Sequence, residues 1–171
     1  MHRPAPYLVV NWHKNKTVDK NLHIIFSKEI LEEDKEVKEK FISNFESEIT
    51  AFINSIVESY QAWLKYDALI GSNRRRAFVA AFLFNAITNL SASMKMLING
   101  YAIPSGNLVR QTIESICSAI LCSSDQLQYY QQVEQDKFSS KISINLVLKH
   151  SKKFQINRNA MIGLKKLYVK V

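Results

Sequence analysis

The segment NRRRAFVAAFLFNAITNLSASMKMLING, residues 73–100, has the periodicity of a helix. Its later apolar residues, from Ile87 to Ile98, recur in steps of three and four, which is the spacing of one helical face. Asn73 is a favourable N-cap residue, and the segment ends before Gly100. The early turns, Ala77–Phe84, are apolar on every side, which predicts a helix surrounded by neighbours.

Apolar residues at helical spacing also lie on both sides of this segment. A charged run from Glu32 leads into the apolar positions 41–64, which predicts a long first helix that stops at Gly71. A mostly apolar helix is predicted from about Ser105 to Cys122. Three shorter helices follow: one capped by Asp125, one from about Ser139 to Lys152, and one capped by Asn157.

These patterns predict an all-α fold, an up-and-down antiparallel bundle of four to six helices. The long first helix is expected to pack against the 77–97 helix and against the helix that carries Arg110. Residues 1–171 are expected to form a single domain, with residues 1–26 as an extension of uncertain structure. The last apolar stripe reaches Val171 without a terminating residue, so either the domain continues beyond it or the last turn packs.

The cysteines and the hydropathy indicate the cellular compartment in which the protein is expected. Cys117 and Cys122 are five residues apart on one predicted helix, which fits neither a disulfide nor a redox pair and predicts two small core side chains. No signal peptide is evident, and the strongly apolar stretch Ala77–Phe84 is far shorter than the roughly 20 residues of a membrane span. A soluble cytoplasmic protein without a membrane partner is expected.

The residues of several common active sites are missing from the sequence. The four histidines, at positions 2, 13, 23 and 150, have no partner at metal-ligand spacing, and no Glu-x-x-His pair occurs. The four glycines cannot form a phosphate-binding loop or the elbow of a serine nucleophile. We expect no metal and no cofactor, and the sequence leaves open whether the protein is an enzyme.

Charge is distributed unevenly along the chain. Residues 1–70 carry nine basic and eleven acidic residues, whereas residues 71–171 carry fourteen basic and four acidic residues. From Lys137 to Val171 there are nine basic residues and no acidic one, which favours RNA or another polyanion as a partner. Phe154 and Tyr168 lie among these cations and could stack on unpaired bases. The alternative is a solvated lysine face. The predicted nucleic-acid-binding residues are Lys149, Lys152, Lys153, Arg158, Lys165 and Lys166.

Arg110 and Glu114 form the other candidate site. They are one turn apart on a mostly apolar helix, so their side chains can meet on the same face. Charges on such a face need a partner, which predicts either an internal ion pair that ties helices together or part of a ligand site. Asn85 and Asn89 on the preceding helix are candidate hydrogen-bond partners.

The segment that holds this pair also carries a family resemblance. The connector Gly100–Gly106 is followed by Leu108-x-Arg110-x-x-x-Glu114 on an apolar helix. This arrangement resembles uncharacterised bacterial helical proteins similar to the HEPN (higher eukaryotes and prokaryotes nucleotide-binding) superfamily. The resemblance implies a helical fold, dimerisation and a role in bacterial defence or stress. HEPN ribonucleases pair an Arg with a His four to six residues later, and no histidine of this chain has such an Arg, so the catalytic residues do not transfer.

Two functions are therefore expected from the sequence. The first is a HEPN-like protein that binds RNA or another polyanion through its basic C-terminal part. The alternative is a non-catalytic protein-interaction module that forms homo-oligomers, for which the aromatic residues Trp63, Tyr129 and Tyr130 would suit a dimer interface. A ribonuclease completed by residues beyond Val171 is a third possibility.

Overall fold

The computed structural model describes residues 35–124, 127–135, 137–139 and 142–170. Over these residues the protein is an all-α bundle with no strand, as predicted. The predicted extension 1–26, the capping residue Asp125 and the terminal Val171 lie outside the described residues. The helices are α1 (Lys35–Asn44), α2 (Glu46–Asp67), α3 (Arg74–Ile98), α4 (Ala102–Ser123), α5 (Tyr129–Glu134), α6 (Ser143–Lys149) and α7 (Arg158–Lys170).

Helix α4 is the centre of the core. It carries nine buried residues, whereas α3 carries four. One cluster joins α4 to α6 and α7, and its members Leu121 and Val147 are fully buried, which stabilises the fold by roughly 2 kcal/mol each. A second cluster joins α4 to Val79 of α3. The prediction that Ala77–Phe84 is surrounded by neighbours was wrong, since Phe84 remains 41% exposed.

The predicted long first helix is divided at Phe45. This residue departs from helical geometry, with φ −128° and ψ 29°, although its N–H still bonds the Phe41 carbonyl at 3.1 Å. The predicted stop at Gly71 was four residues late, because α2 ends at Asp67 and the following turn uses shorter-range bonds such as Ile70 N–H to Asp67 O. Gly71 does adopt the left-handed conformation, with φ +53°.

Three local features position the central helices. Asn73 caps α3 as predicted, and its Oδ1 accepts a 3.0 Å hydrogen bond from the Arg76 amide. Asn157 caps α7 in the same way, accepting bonds from the amides of Asn159 and Ala160. Gly100 closes the short turn between α3 and α4 at φ +84°, which favours glycine. Such a short connection makes α3 and α4 antiparallel neighbours.

Helix α2 lies at the edge of the bundle. It packs on α1 and α3, not on the Arg110 helix as predicted, and none of its 22 residues is buried. Trp63 faces α3, where its indole N–H donates a 2.9 Å bond to the Ala80 carbonyl. Tyr129 and Tyr130 are also half-buried and pack against the core clusters. These three aromatics were therefore wrongly predicted to be exposed for a dimer interface.

Helix α3 also has the length and composition of a membrane span. It is the only such helix among the described residues. Its hydropathy stays high beyond the short stretch Ala77–Phe84, over a helix of 25 residues. Its polar side chains nevertheless contact the next helix of the bundle. Asn85 bonds Ser115 at 2.8 Å, and the Ser93 hydroxyl bonds the Ser105 carbonyl at 3.0 Å.

Candidate functional site

The predicted basic residues lie on α6, on α7 and on the turn that joins them. The side chains of all six are exposed. On α7, the buried Met161 and the half-buried Leu164 and Tyr168 face the core, and the helical period places the cations on the outer side. The turn is ordered by hydrogen bonds such as Ile156 N–H to Ser151 O at 3.0 Å. The six cations are Lys149, Lys152, Lys153, Arg158, Lys165 and Lys166.

The aromatic rings near these cations do not join them on the surface. Phe154 and Tyr168 are half-buried and pack against the α4–α6–α7 core cluster. They were predicted to stack on bases, and their packing in the apolar stripe of the segment leaves only part of each ring available for such a contact. Among the described side chains of α7, the large apolar ones that are exposed are aliphatic, namely Ile162 and Leu167.

Arg110 and Glu114 both contact Tyr168 of α7, a partner that was not predicted for them. The Tyr168 hydroxyl donates a 2.7 Å hydrogen bond to Glu114 Oε1. The Arg110 guanidinium carbon lies 5.2 Å from the centroid of the same ring, which is a cation–π distance. Tyr168 thus links both charged residues of α4 to α7. Arg110 Nε is buried, and no described residue accepts a hydrogen bond from it.

The environment of Tyr168 keeps its hydroxyl protonated. The hydrogen bond to Glu114 is the main cause of a raised pKa of Tyr168, with burial and the Glu114 charge acting in the same direction and Arg110 opposing them. The sequence indicated that Tyr168 needs a polar partner, although not which residue supplies it. Tyr168 lies on the inward stripe of its helix, and a tyrosine hydroxyl directed inward needs a polar partner.

The two cysteines are buried on α4, as predicted. Burial raises the pKa of Cys117 to about 11, the Glu114 charge acts in the same direction, and the buried Ser143 hydroxyl opposes them in part. Burial raises the pKa of Cys122 to about 11 as well. Both thiols therefore stay protonated at neutral pH, and a thiol in that state is a poor nucleophile and a poor metal ligand.

The two asparagines predicted as partners of the charged pair are used differently. Asn85 donates its amide hydrogen to the Ser115 hydroxyl, on the side of α4 that faces α3. The Nδ2 of Asn89 is buried, and no described residue accepts a hydrogen bond from it. Neither side chain has a described hydrogen bond to Arg110 or Glu114, so the polar cluster around Tyr168 is built from α4 and α7.

The three arginines at the start of α3 are bound to groups outside α3. Arg75 donates to the Ser123 carbonyl at 3.1 Å, and Arg76 donates to the Leu69 carbonyl at 2.9 Å. The Ser123 carbonyl lies at the C-terminal end of α4, where negative partial charge accumulates, and the Leu69 carbonyl lies in the turn that follows α2. Arg74 pairs with Glu134 at 2.8 Å on the surface. These contacts offset the unfavourable position of positive charge at a helix N-terminus.

No cluster of three or more potential metal ligands occurs in the part of the chain that the structure describes. Comparison with family models, with curated proteins and with solved structures finds no match to this chain. The function therefore has to be argued from the geometry of the residues themselves.

Proposed function

We propose that this protein binds RNA through the phosphate backbone, using the exposed cations of α6, α7 and their connecting turn. The observation that supports this most strongly is the combination of six exposed cations with a sequence that has no acidic residue after position 136. A segment without acidic residues cannot neutralise its own cations, so these attract phosphates and release counterions when they bind.

The inward position of Phe154 and Tyr168 limits how the RNA is read. These rings pack against the core cluster, so most of their surface is withheld from bases, and the fully exposed contacts are charges. Contacts to phosphate position a nucleic acid but carry no sequence information. The proposed binding is therefore independent of sequence and depends strongly on salt.

The protein is proposed to act without catalysis, as a HEPN-like member of a bacterial defence or stress system. Support for the HEPN relationship is limited to the helical bundle and to the Leu108–Glu114 segment, which lies on the central helix α4. The absence of the Arg and His pair from the sequence and the protonation of both thiols favour binding over strand cleavage.

The salt dependence of RNA binding tests the proposal. A fluorescent single-stranded RNA of about 12 nucleotides is long enough to span one binding face. If six cations each neutralise one phosphate, a plot of log K against log salt has a slope of about −4. Fluorescence anisotropy over a range of salt concentrations measures this slope. Absence of binding at low salt, or a slope near zero, would overturn the proposal.

A further inference from the structure

An exposed flank of α2 carries a regular row of large apolar residues. Ile53, Val57, Tyr60 and Leu64 follow one another at steps of four, three and four, and each is between 40% and 52% exposed. This spacing is that of the a and d positions of a coiled coil. We call these four residues the α2 seam. It is distinct from the inner row that faces α3, which includes Phe52, Ile56 and Trp63.

We propose that a second copy of this chain covers the α2 seam, so that two α2 helices pair in antiparallel orientation. In antiparallel pairing an a position faces a d position of the partner helix. Val57 of each copy then packs on Tyr60 of the other, and Ile53 packs on Leu64. The same four residues serve both copies, as a two-fold interface requires.

Charge along α2 supports a second copy as the occupant. Between Ile49 and Leu64 the helix has a single charged residue, Glu58, although most of this stretch is exposed. The seam is bordered by the neutral side chains of Asn54 and Gln61, so two copies bring no like charges together there.

The exposed area and the local shape agree with this pairing. Four side chains of this size at about half exposure leave on the order of 400 Å² of apolar surface in water, a patch size that marks interaction sites. Two such patches with their borders approach the roughly 1,000 Å² of a specific interface. A groove of about 350 Å³ borders the seam at Ile53 and Val57 and can receive the partner's Tyr60 ring. Tyr60 is already held by stacking on Trp63 at 5.5 Å.

Cross-linking tests the pairing directly. The double variant Ile53→Cys/Leu64→Cys places two thiols opposite two thiols of the partner, and mild oxidation is expected to convert most of the protein into a covalent dimer. The native Cys117 and Cys122 are buried and do not interfere. The matched control Ala51→Cys/Ala62→Cys places the same thiols at exposed positions of α2 outside the seam. Equal cross-linking of both variants, or of neither, would overturn the proposal.

The mass of the unmodified chain provides a second measurement. Light scattering at micromolar concentration and high salt, where RNA binding is absent, is expected to give about twice the chain mass of 19.7 kDa. Val57→Glu should give the monomer mass with unchanged circular dichroism, whereas the control Ala62→Glu should remain dimeric. A monomeric wild-type chain, or a dimer that survives Val57→Glu, would contradict the pairing. A larger complex that forms only with another protein would mean that the seam serves a different partner.

Discussion

The Tyr168 hydroxyl lies 2.7 Å from Glu114 Oε1, and this contact between residues 54 apart in sequence joins α7 to α4. Arg110 lies over the same tyrosine ring. A pair of charges that looked like a possible ligand site is thereby engaged in holding α7 against α4. The outer side of α7 carries the proposed RNA-binding cations, so the contact also orients that surface.

Removing this hydroxyl should destabilise the protein. Tyr168→Phe keeps the ring under Arg110 and deletes the hydrogen bond to Glu114, which is expected to lower the free energy of unfolding by about 1 to 2 kcal/mol. Urea denaturation measures the change. Tyr101→Phe, at a tyrosine that is 48% exposed, is the control and should change stability by less than about 0.5 kcal/mol. Equal effects of the two variants would mean that the contact contributes nothing.

The buried thiols predict a loss of stability in alkali. A thiol whose pKa rises from 9.0 in the unfolded chain to about 11 in the folded protein holds its proton more tightly when folded. Its stabilising contribution is complete below pH 9 and is lost as the pH rises toward 11, by about 2 kcal/mol for each thiol. Urea denaturation at a series of pH values between 8 and 11 should show this decline in the free energy of unfolding. In Cys117→Ala the decline should be shallower, and an unchanged slope would contradict the assignment.

Alanine substitutions at two glycines should change the stability of the protein in opposite directions. At Gly100, φ is +84° and an added Cβ would lie 3.2 Å from Val37 Cγ1, so Gly100→Ala should destabilise the protein by about 1 to 2 kcal/mol. At Gly163, on the exposed side of α7, an added Cβ meets nothing within 4 Å. Gly163→Ala should stabilise the helix by up to about 1 kcal/mol. Thermal unfolding of both variants checks the pair, and a shift in the same direction would show that the turn geometry is misassigned.

A variant of Phe154 tests whether its ring serves the core or stacks on RNA bases. Its ring packs against the cluster that contains Ile144 and Val147, so Phe154→Leu should lower the free energy of unfolding by about 1 kcal/mol. RNA affinity of the folded variant should stay within about twofold of wild type. Anisotropy titration well below the unfolding temperature measures it. A loss approaching tenfold would indicate that the ring contacts a base after all.

The helical class could be predicted from the sequence because apolar residues recur at helical spacing in every main segment. The sequence did not indicate which helix lies at the centre of the core. Helix α4 is rich in Ser and Thr, yet Thr112 and Ser118 are buried because each hydroxyl bonds the carbonyl four residues earlier. Conversely, Ala77–Phe84 is apolar on every side, although neighbouring helices cover only some of its sides.

The candidate sites could be predicted in part. The exposed position of the basic residues on α7 follows from the stripe that contains Met161 and Leu164, and it was accessible from the pattern. The contact of Tyr168 with Glu114 was not, because local periodicity carries no information on which distant helices meet. The inward turn of Phe154 was missed for the same reason.

The most direct test of RNA binding by α7 compares two double charge reversals by anisotropy at low salt. Lys165→Glu/Lys166→Glu and the control Lys35→Glu/Lys65→Glu remove the same charge from a chain of net charge +8, and all four lysines are exposed. The first variant is expected to lose about tenfold or more in RNA affinity, since two phosphate contacts disappear, and the control should lose less than about threefold. Equal losses would show that binding responds only to total charge, and would contradict the account.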